Sequence, residues 1–372
     1  MPDLHVIFGT GPVGRALLHE LLARGRTVRV VNRSGTGLFP AEVELRAGDA
    51  ADRRFAREVS SGAAVVYQCL APPYHRWPEL FPRMQAGVLA GATAAGARLV
   101  AMENVYMYGS PYGRPLTEKR PMTATTRKGR ARAEMAEELL QAHRKGRVRV
   151  AIGRASDFFG PGVVTSAMGA RVFEPALRGE TVNVLGDPTL PHTYAYVPDI
   201  ARGLAILGEH DDALGKVWHL PGPETVTTRE FVTMVFAEAG HRPKVRAAGK
   251  LALRALGFFR PEVRELVEMM YQFEEPFVVE HDKFVAAFGD TSTPLVEAIR
   301  ETVDWYREQA EQAEQAEQAE QAAAEPLGDE PEPAEPEPAE PEPGAATGET
   351  AAEEAATAET SQEPLPDQKS TE

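Results

Sequence analysis

Leu4, Val6, Ile7 and Phe8 form an unbroken apolar run near the start of the chain. A short run without alternation predicts a strand buried on both faces. GTGPVG follows at 9–14, and then Leu17, Leu18, Leu21 and Leu22 recur at helical spacing until Gly25 supplies a stop. A second strand is predicted over 27–31, and a short third strand precedes GDAAD at 48–52. Residues 64–70 (AVVYQCL) read as a fourth strand, about 79–95 as a long helix, and 98–102 as a fifth strand leading into ENVYMYG at 103–109. Strands that alternate with helices predict an α/β fold, a Rossmann-type doubly wound parallel sheet with helices on both faces. Ligands of such sheets bind at the carboxyl ends of the strands. Residues 224–307 read as mainly helical. There Phe231, Val235 and Phe236 make one stripe and Leu266, Met269, Met270 and Phe273 another, at the spacing that burial demands.

The turn at 9–14 carries the first chemistry. Gly9 permits a tight turn, Gly11 lets backbone approach a pyrophosphate, and Gly14 lets the helix pack on the strand. Thr10, Pro12 and Val13 complete a turn whose helix N-terminus offers N–H donors to phosphate. Strand, glycine turn, helix, strand is the setting in which GxGxxG predicts dinucleotide binding. An NAD site usually has a carboxylate at the end of the second strand for the ribose 2′-hydroxyl. This chain has Asn32, Arg33 and Ser34 there. With no acid to repel it and Arg33 to pair with it, a 2′-phosphate is the better match. The expected cofactor is therefore NADP, with NAD as the alternative. Asp49 and Ala50 are placed to border the adenine, and Leu70, Ala71 and Pro72 lie at the end of the fourth strand beside the cofactor. Topology brings Asn104 and Tyr106 close as well.

Composition adjusts this picture. The 372 residues include one cysteine, Cys69, which excludes a disulfide scaffold and a cysteine-based zinc site. No metal site is expected. There is no apolar run long enough to span a membrane, and the opening MPDLHVIFG lacks the pattern of a signal peptide, so a cytoplasmic location is expected. The net charge of −15 belongs to the tail: residues 309–372 hold 19 of the 55 acids and one of the 40 bases. The body is slightly basic and lacks the strong field of a nucleic-acid binder. From Glu308 the chain reads EQAEQAEQAEQA, a helix-forming stretch that extends the preceding helix. The Glu-Pro alternation after Pro326 cannot bury apolar surface and predicts an extended, disordered spacer. No partner for that tail can be named from its residues.

Several separated segments together resemble the extended short-chain dehydrogenase/reductase superfamily, and within it the NAD-dependent epimerase/dehydratase group. They are the glycine turn, GDAAD, ENVYMYG, the helix containing 131–134, GRASDFFGPG at 153–162, YVPDIA at 196–201 and ETVDWYR at 301–307. The resemblance implies a Rossmann domain over 1–155, with a returning segment at about 190–220, and a smaller substrate-binding region over 156–307, ahead of the tail at 308–372. It also implies a small-molecule substrate and a homodimer. Family members use a Ser or Thr, a Tyr and a Lys; the Lys lowers the Tyr pKa and holds the nicotinamide ribose. Aligning Tyr108-Gly109 on the family's Tyr-Gly places Asn104 at the Ser/Thr position. Aligning Glu134 on the helix glutamate places Thr126 at the Tyr position and Arg130 at the Lys position, with Lys128 turned about 200° away. An aliphatic hydroxyl is too weak an acid to replace a phenol. Tyr106, on the same side as Asn104 if the strand continues, is the candidate replacement donor. Where the family carries an Arg for a sugar-nucleotide pyrophosphate, this chain has His192, and Phe159 and its neighbours suggest a more apolar pocket.

Three readings follow. The first is an NADP-dependent oxidoreductase acting on a small, fairly apolar carbonyl or enone, with Asn104, Tyr106 and Arg130 as its catalytic groups. The second is a non-catalytic NADP-binding sensor or scaffold. The third, disfavoured by the missing Tyr, Lys and Arg, is a nucleotide-sugar epimerase or dehydratase.

Overall fold

A computed structural model describes residues 3–249 and 267–324. The opening strand β1 (Leu4–Phe8) leads through the glycine turn into α1 (Pro12–Ala23). Then come β2 (Thr27–Asn32), β3 (Glu44–Ala47), α2 (Arg53–Val59) and β4 (Ala63–Gln68). They are followed by α3 (Trp77–Ala95), β5 (Arg98–Glu103), α4 (Arg127–Arg144) and β6 (Arg149–Arg154). β7 (Asp157–Phe159), α5 (Ala170–Leu177), β8 (Val182–Leu185), β9 (Pro191–His192) and β10 (Tyr194–Tyr196) lead outward and back to α6 (Val197–Glu209) and β11 (Val217–His219).

Seven parallel strands form one sheet in the order β11-β6-β5-β4-β1-β2-β3. The order reverses between β1 and β4, so a crevice opens beyond their carboxyl ends. β1 is buried on both faces because both carry helices. Leu17, Leu18 and Leu21 of α1 and Ile200, Leu204 and Leu207 of α6 cover one face. Val88, Leu89 and Ala92 of α3 and Leu139 and Ala142 of α4 cover the other. His5 is tolerated in this strand because its Nδ1 meets the Tyr67 hydroxyl at 3.1 Å.

The remaining strands make three small pairs: β7 with β10, β9 with β12 (Val226–Thr227), and β8 with β13 (Val245–Ala248). Two of these strands lie within 224–307, so that region is less uniformly helical than its periodicity predicts. Between them runs α7 (Thr228–Glu238), opened by a capping box of Thr227 and Glu230. Its Phe231, Val235 and Phe236 are fully buried in the core of this region. Met269, Met270 and Phe273 are buried too, while Leu266 lies outside the described residues.

Residues 1–319 form one compact unit, and a second unit begins at Glu320. The helix Leu295–Ala324 contains the whole Glu-Gln-Ala repeat, and residues 325–372 lie outside the described residues. Among the described residues, no helix is long and apolar enough to cross a membrane, and no cluster of His, Cys, Asp or Glu has the form of a metal site.

Candidate active site

The glycine turn divides into two locked positions and one open one. Gly9 has φ +105°, and a Cβ there would lie 2.5 Å from the Cys69 carbonyl oxygen. A Cβ on Gly14 would lie 2.0 Å from the Gly9 carbonyl oxygen. Both contacts are with backbone, so neither can yield. A Cβ on Gly11 would meet nothing within 4 Å. The protein therefore needs Gly9 and Gly14 to close the turn, whereas Gly11 serves a space outside the protein. Gly11 caps α1 without any side-chain hydrogen bond, and Pro12 takes the first helical position. The first N–H groups of α1 thus lie at the sheet's switch point beside the open face of Gly11, the arrangement that suits a diphosphate. Thr10 and Val13 complete it, Val13 buried against the core.

At the end of β2 the side chains are partly committed. Asn32 donates from Nδ2 to the Thr36 carbonyl at 2.8 Å and to Thr10 Oγ1 at 3.2 Å, and its Oδ1 accepts from Gly35 N–H at 2.8 Å. Asn32 therefore shapes the turn rather than offering an open amide to a ribose. Ser34 and Arg33 are exposed on that turn. Asp49 is exposed and accepts from Ala51 N–H. Ala50 is buried in the core, and its carbonyl lies 1.8 Å from where a Cβ on Gly87 of α3 would stand. Ala50 is thus a packing position for its side chain, with helix α3 seated on its backbone. Leu70 and Ala71 sit at the rim beyond β4, whereas Pro72 is buried and its carbonyl accepts from Trp77 Nε1.

The catalytic candidates stand differently from their expected arrangement. β5 ends at Glu103, and Tyr106 opens a 3-10 turn, Tyr106–Tyr108, so no continued strand aligns it with Asn104. Asn104 instead accepts from Tyr106 N–H at its Oδ1, which leaves Nδ2 as its donor end. The Tyr106 side chain stacks obliquely on Trp77 at 5.8 Å. Burial holds the phenols of Tyr74, Tyr106 and Tyr271 above their ordinary value, and the Asp157 charge pushes each the same way. These phenols are therefore neutral donors at ordinary pH.

Arg130 is exposed and donates to the Thr125 carbonyl at 2.6 Å. Thr126 is the N-cap of α4 and accepts from Gly129 N–H. The inward stripe of α4 runs through Lys128, Arg132, Met135 and Leu139. Its inward pair at four-residue spacing is Lys128 and Arg132, not Thr126 and Arg130. Lys128 is wholly buried, 2.8 Å from a Glu268 carboxylate oxygen and 4.4 Å above the Tyr74 ring. Arg132 lies over Phe81 and 3.5 Å from Glu103, which also receives Arg154 at 3.0 Å. The helix thus turns by about 200° relative to the expectation, because apolar Met135 and Leu139 fix which side faces the sheet.

On the substrate side, His192 is buried and its Nε2 lies 2.8 Å from Asp157 Oδ2. The imidazole stacks on Tyr194, Phe273 and Phe277 at 4.5–5.2 Å between ring centres. Phe159 is fully buried, packed against Tyr196 and Phe231, so it belongs to the core of this region rather than to an exposed substrate wall. Asp157 and Glu268 were missed by sequence reasoning, and Lys128 was set aside as facing away. For Lys128 the signal was present, since it shares the apolar register of Met135 and Leu139.

The profile of the NAD dependent epimerase/dehydratase family matches residues 6–220. An uncharacterized protein of Sinorhizobium fredii, y4nG, is 26% identical over 257 residues, which cover 66% of this chain. The match spans 63% of that relative's length. Among solved structures, a UDP-glucose 4-epimerase of Thermus thermophilus, in complex with NAD, superposes with a TM-score of 0.66 and 23% identity, covering 82% of this chain and 99% of that one. A dTDP-glucose 4,6-dehydratase of Streptomyces venezuelae with NAD bound gives a TM-score of 0.69 at 19% identity, covering 82% and 97%. With the glycine turn at the switch point of a seven-stranded parallel sheet, and a family profile spanning more than half of the residues, the chain belongs to the NAD dependent epimerase/dehydratase family.

Proposed function

We propose that this protein is an oxidoreductase that uses NADP to interconvert a small carbonyl or enone and its reduced form. The observation that carries the coenzyme half is the open face of Gly11 between the locked Gly9 and Gly14. The backbone of residues 11–14 would hold the diphosphate, and Arg33 would pair with the 2′-phosphate. When bound, the dinucleotide supplies or accepts a hydride. In the reducing direction, Asn104 donates a hydrogen bond from Nδ2 to the substrate oxygen. Tyr106 is protonated at ordinary pH; burial makes it a weaker acid than a free phenol, so its hydroxyl proton passes to that oxygen because the developing alkoxide is more basic still. Trp77 beside Tyr106 helps to exclude water from this end of the site.

The occupied surroundings of His192 support a substrate other than a nucleotide sugar. An imidazole bonded to Asp157 and stacked on three rings leaves no guanidinium fork for a double phosphate. A coenzyme-binding sensor is the second reading. It is favoured by the absence of a Tyr–Lys pair from the inward face of α4.

The test is calorimetry of the full chain with NADPH and NADH, followed by a panel of aldehydes, quinones and enones with NADPH consumption as the readout. Binding with turnover supports the oxidoreductase, and Tyr106→Phe then abolishes turnover while leaving coenzyme affinity intact. Binding without turnover of any panel member favours the sensor. Absence of binding removes both readings.

A further inference from the structure

We infer that Arg15 selects the coenzyme: together with Arg33 it forms a two-cation grip on the 2′-phosphate that separates NADP from NAD. The inference rests on the dinucleotide reading above and adds a second phosphate contact from a different element. Arg15 stands in the first turn of α1 and is exposed. Its Nε donates to the Thr10 carbonyl at 3.1 Å, and its guanidinium carbon lies 5.2 Å over the Phe39 ring. One anchor is in the glycine turn and the other in the loop after β2. Thr10 is also tied by its Oγ1 to Asn32 at the end of β2. Arg15 is therefore pinned where the phosphate turn and the loop bearing Arg33 meet, with both Nη groups left as a donor edge.

The charges at this junction are one-sided. Between Gly9 and Pro40 the sole acid is Glu20, which lies 2.7 Å from Arg24. Neither Arg15 nor Arg33 has an ion-pair partner among the described residues. An unmodified ribose diol calls for an acceptor at the end of β2. The side-chain carbonyl at that end, Asn32 Oδ1, is already held by Gly35 N–H. A phosphate monoester calls for cations with several donors, which two guanidinium groups supply. Holding Arg15 by its Nε in advance lowers the ordering cost of that contact.

The deciding experiment is isothermal titration calorimetry of the full chain with NADPH and NADH at low and moderate salt. The intact chain is expected to bind NADPH at least about thirtyfold more tightly. Arg15→Ala is expected to weaken NADPH about tenfold or more and NADH less than about threefold, with a shallower salt dependence for NADPH. Arg15→Lys should recover part of the loss, and Arg15→Ala combined with Arg33→Ala should bind both coenzymes alike. Equal weakening of both coenzymes by Arg15→Ala would mean that the residue only braces the turn through Thr10, and would overturn the inference while leaving NADP use intact. Unchanged NADPH affinity in Arg15→Ala overturns it as well. If the intact chain binds NADH as tightly as NADPH, NADP use fails and Arg15 selectivity fails with it. If it binds neither, the dinucleotide reading itself fails.

Discussion

His192 Nε2 lies 2.8 Å from Asp157 Oδ2, and the two residues come from adjoining short strands, β9 and β7, that flank β10 in sequence or in space. The contact ties β7, which pairs with β10, to β9, which pairs with β12. Asp157→Asn keeps the shape but removes the charge that polarises this hydrogen bond. The expected outcome is a loss of roughly 1–3 kcal/mol in urea denaturation. UDP-glucose is expected to give no thermal stabilisation of the unmodified chain. Stabilisation by that ligand would restore the nucleotide-sugar reading.

Lys128 and Arg130 offer a direct contrast on one helix. Lys128 is buried over Tyr74, whose phenol shares its raised pKa with Tyr106 nearby, whereas Arg130 is exposed. A cation above a phenol ring stabilises developing negative charge on that ring and close to it. Lys128→Met is therefore expected to lower turnover of an active panel compound by about tenfold or more while leaving NADPH affinity within about twofold. Leaving Glu268 without this ammonium should cost about 1–2 kcal/mol. Arg130→Ala should change stability by less than about 0.5 kcal/mol and turnover little. If Arg130→Ala proves the damaging change and Lys128→Met the silent one, the assignment of the inward face to function is wrong.

The sheet was legible because its strands are apolar on both faces and its turns carry glycine. The packing need for Gly9 and Gly14 was legible from their spacing between a strand and a helix. The catalytic end was harder to read for a specific reason. A helix position is assigned to a face by its neighbours, and Glu134 was a poor anchor because it is exposed, while Met135 and Leu139 set the phase. Asp157 was hidden by its short strand, which shows no periodicity. The partnership of Lys128 with Glu268 joins residues 140 apart in sequence, and no local pattern encodes such a pairing. Phe159 shows the converse error, in which an apolar residue expected at a pocket faces the core.

Two histidines predict how stability responds to acid. The Tyr108 hydroxyl accepts from Arg154 and donates to His219 Nε2 at 2.8 Å, so His219 donates from Nδ1 to the Glu280 carbonyl. Burial lowers His219 from 6.5 to about 4, and burial, assisted by Arg26, lowers His5 to about 4. The unfolded chain takes up these protons near pH 6.5 and the folded chain only near pH 4. Their contribution to stability is thus complete above about pH 6.5 and is lost progressively as pH falls toward about 4. His219 alone contributes roughly 3 kcal/mol to this loss. Denaturant midpoints should fall steadily from near-neutral pH to about pH 5, and His219→Gln should flatten the slope. A midpoint that stays level across that range, in the unmodified chain, would show that neither imidazole is held neutral.

Gly11 and Gly14 separate folding from binding within one turn. A methyl group on Gly14 would stand 2.0 Å from the Gly9 carbonyl oxygen, and neither the helix nor the turn can move away without breaking the seating of α1 on the sheet. Gly14→Ala is therefore expected to cost several kcal/mol, about 3 or more, and to leave little folded protein. A methyl group on Gly11 meets no protein atom within 4 Å, so Gly11→Ala is expected to fold with a Tm within about 2 °C of the unmodified chain. The same methyl group would stand where a diphosphate must approach the backbone, so the variant should lose about tenfold or more in NADPH affinity by calorimetry. A folded Gly11→Ala protein that binds coenzyme normally would show that the open face of this turn serves no ligand.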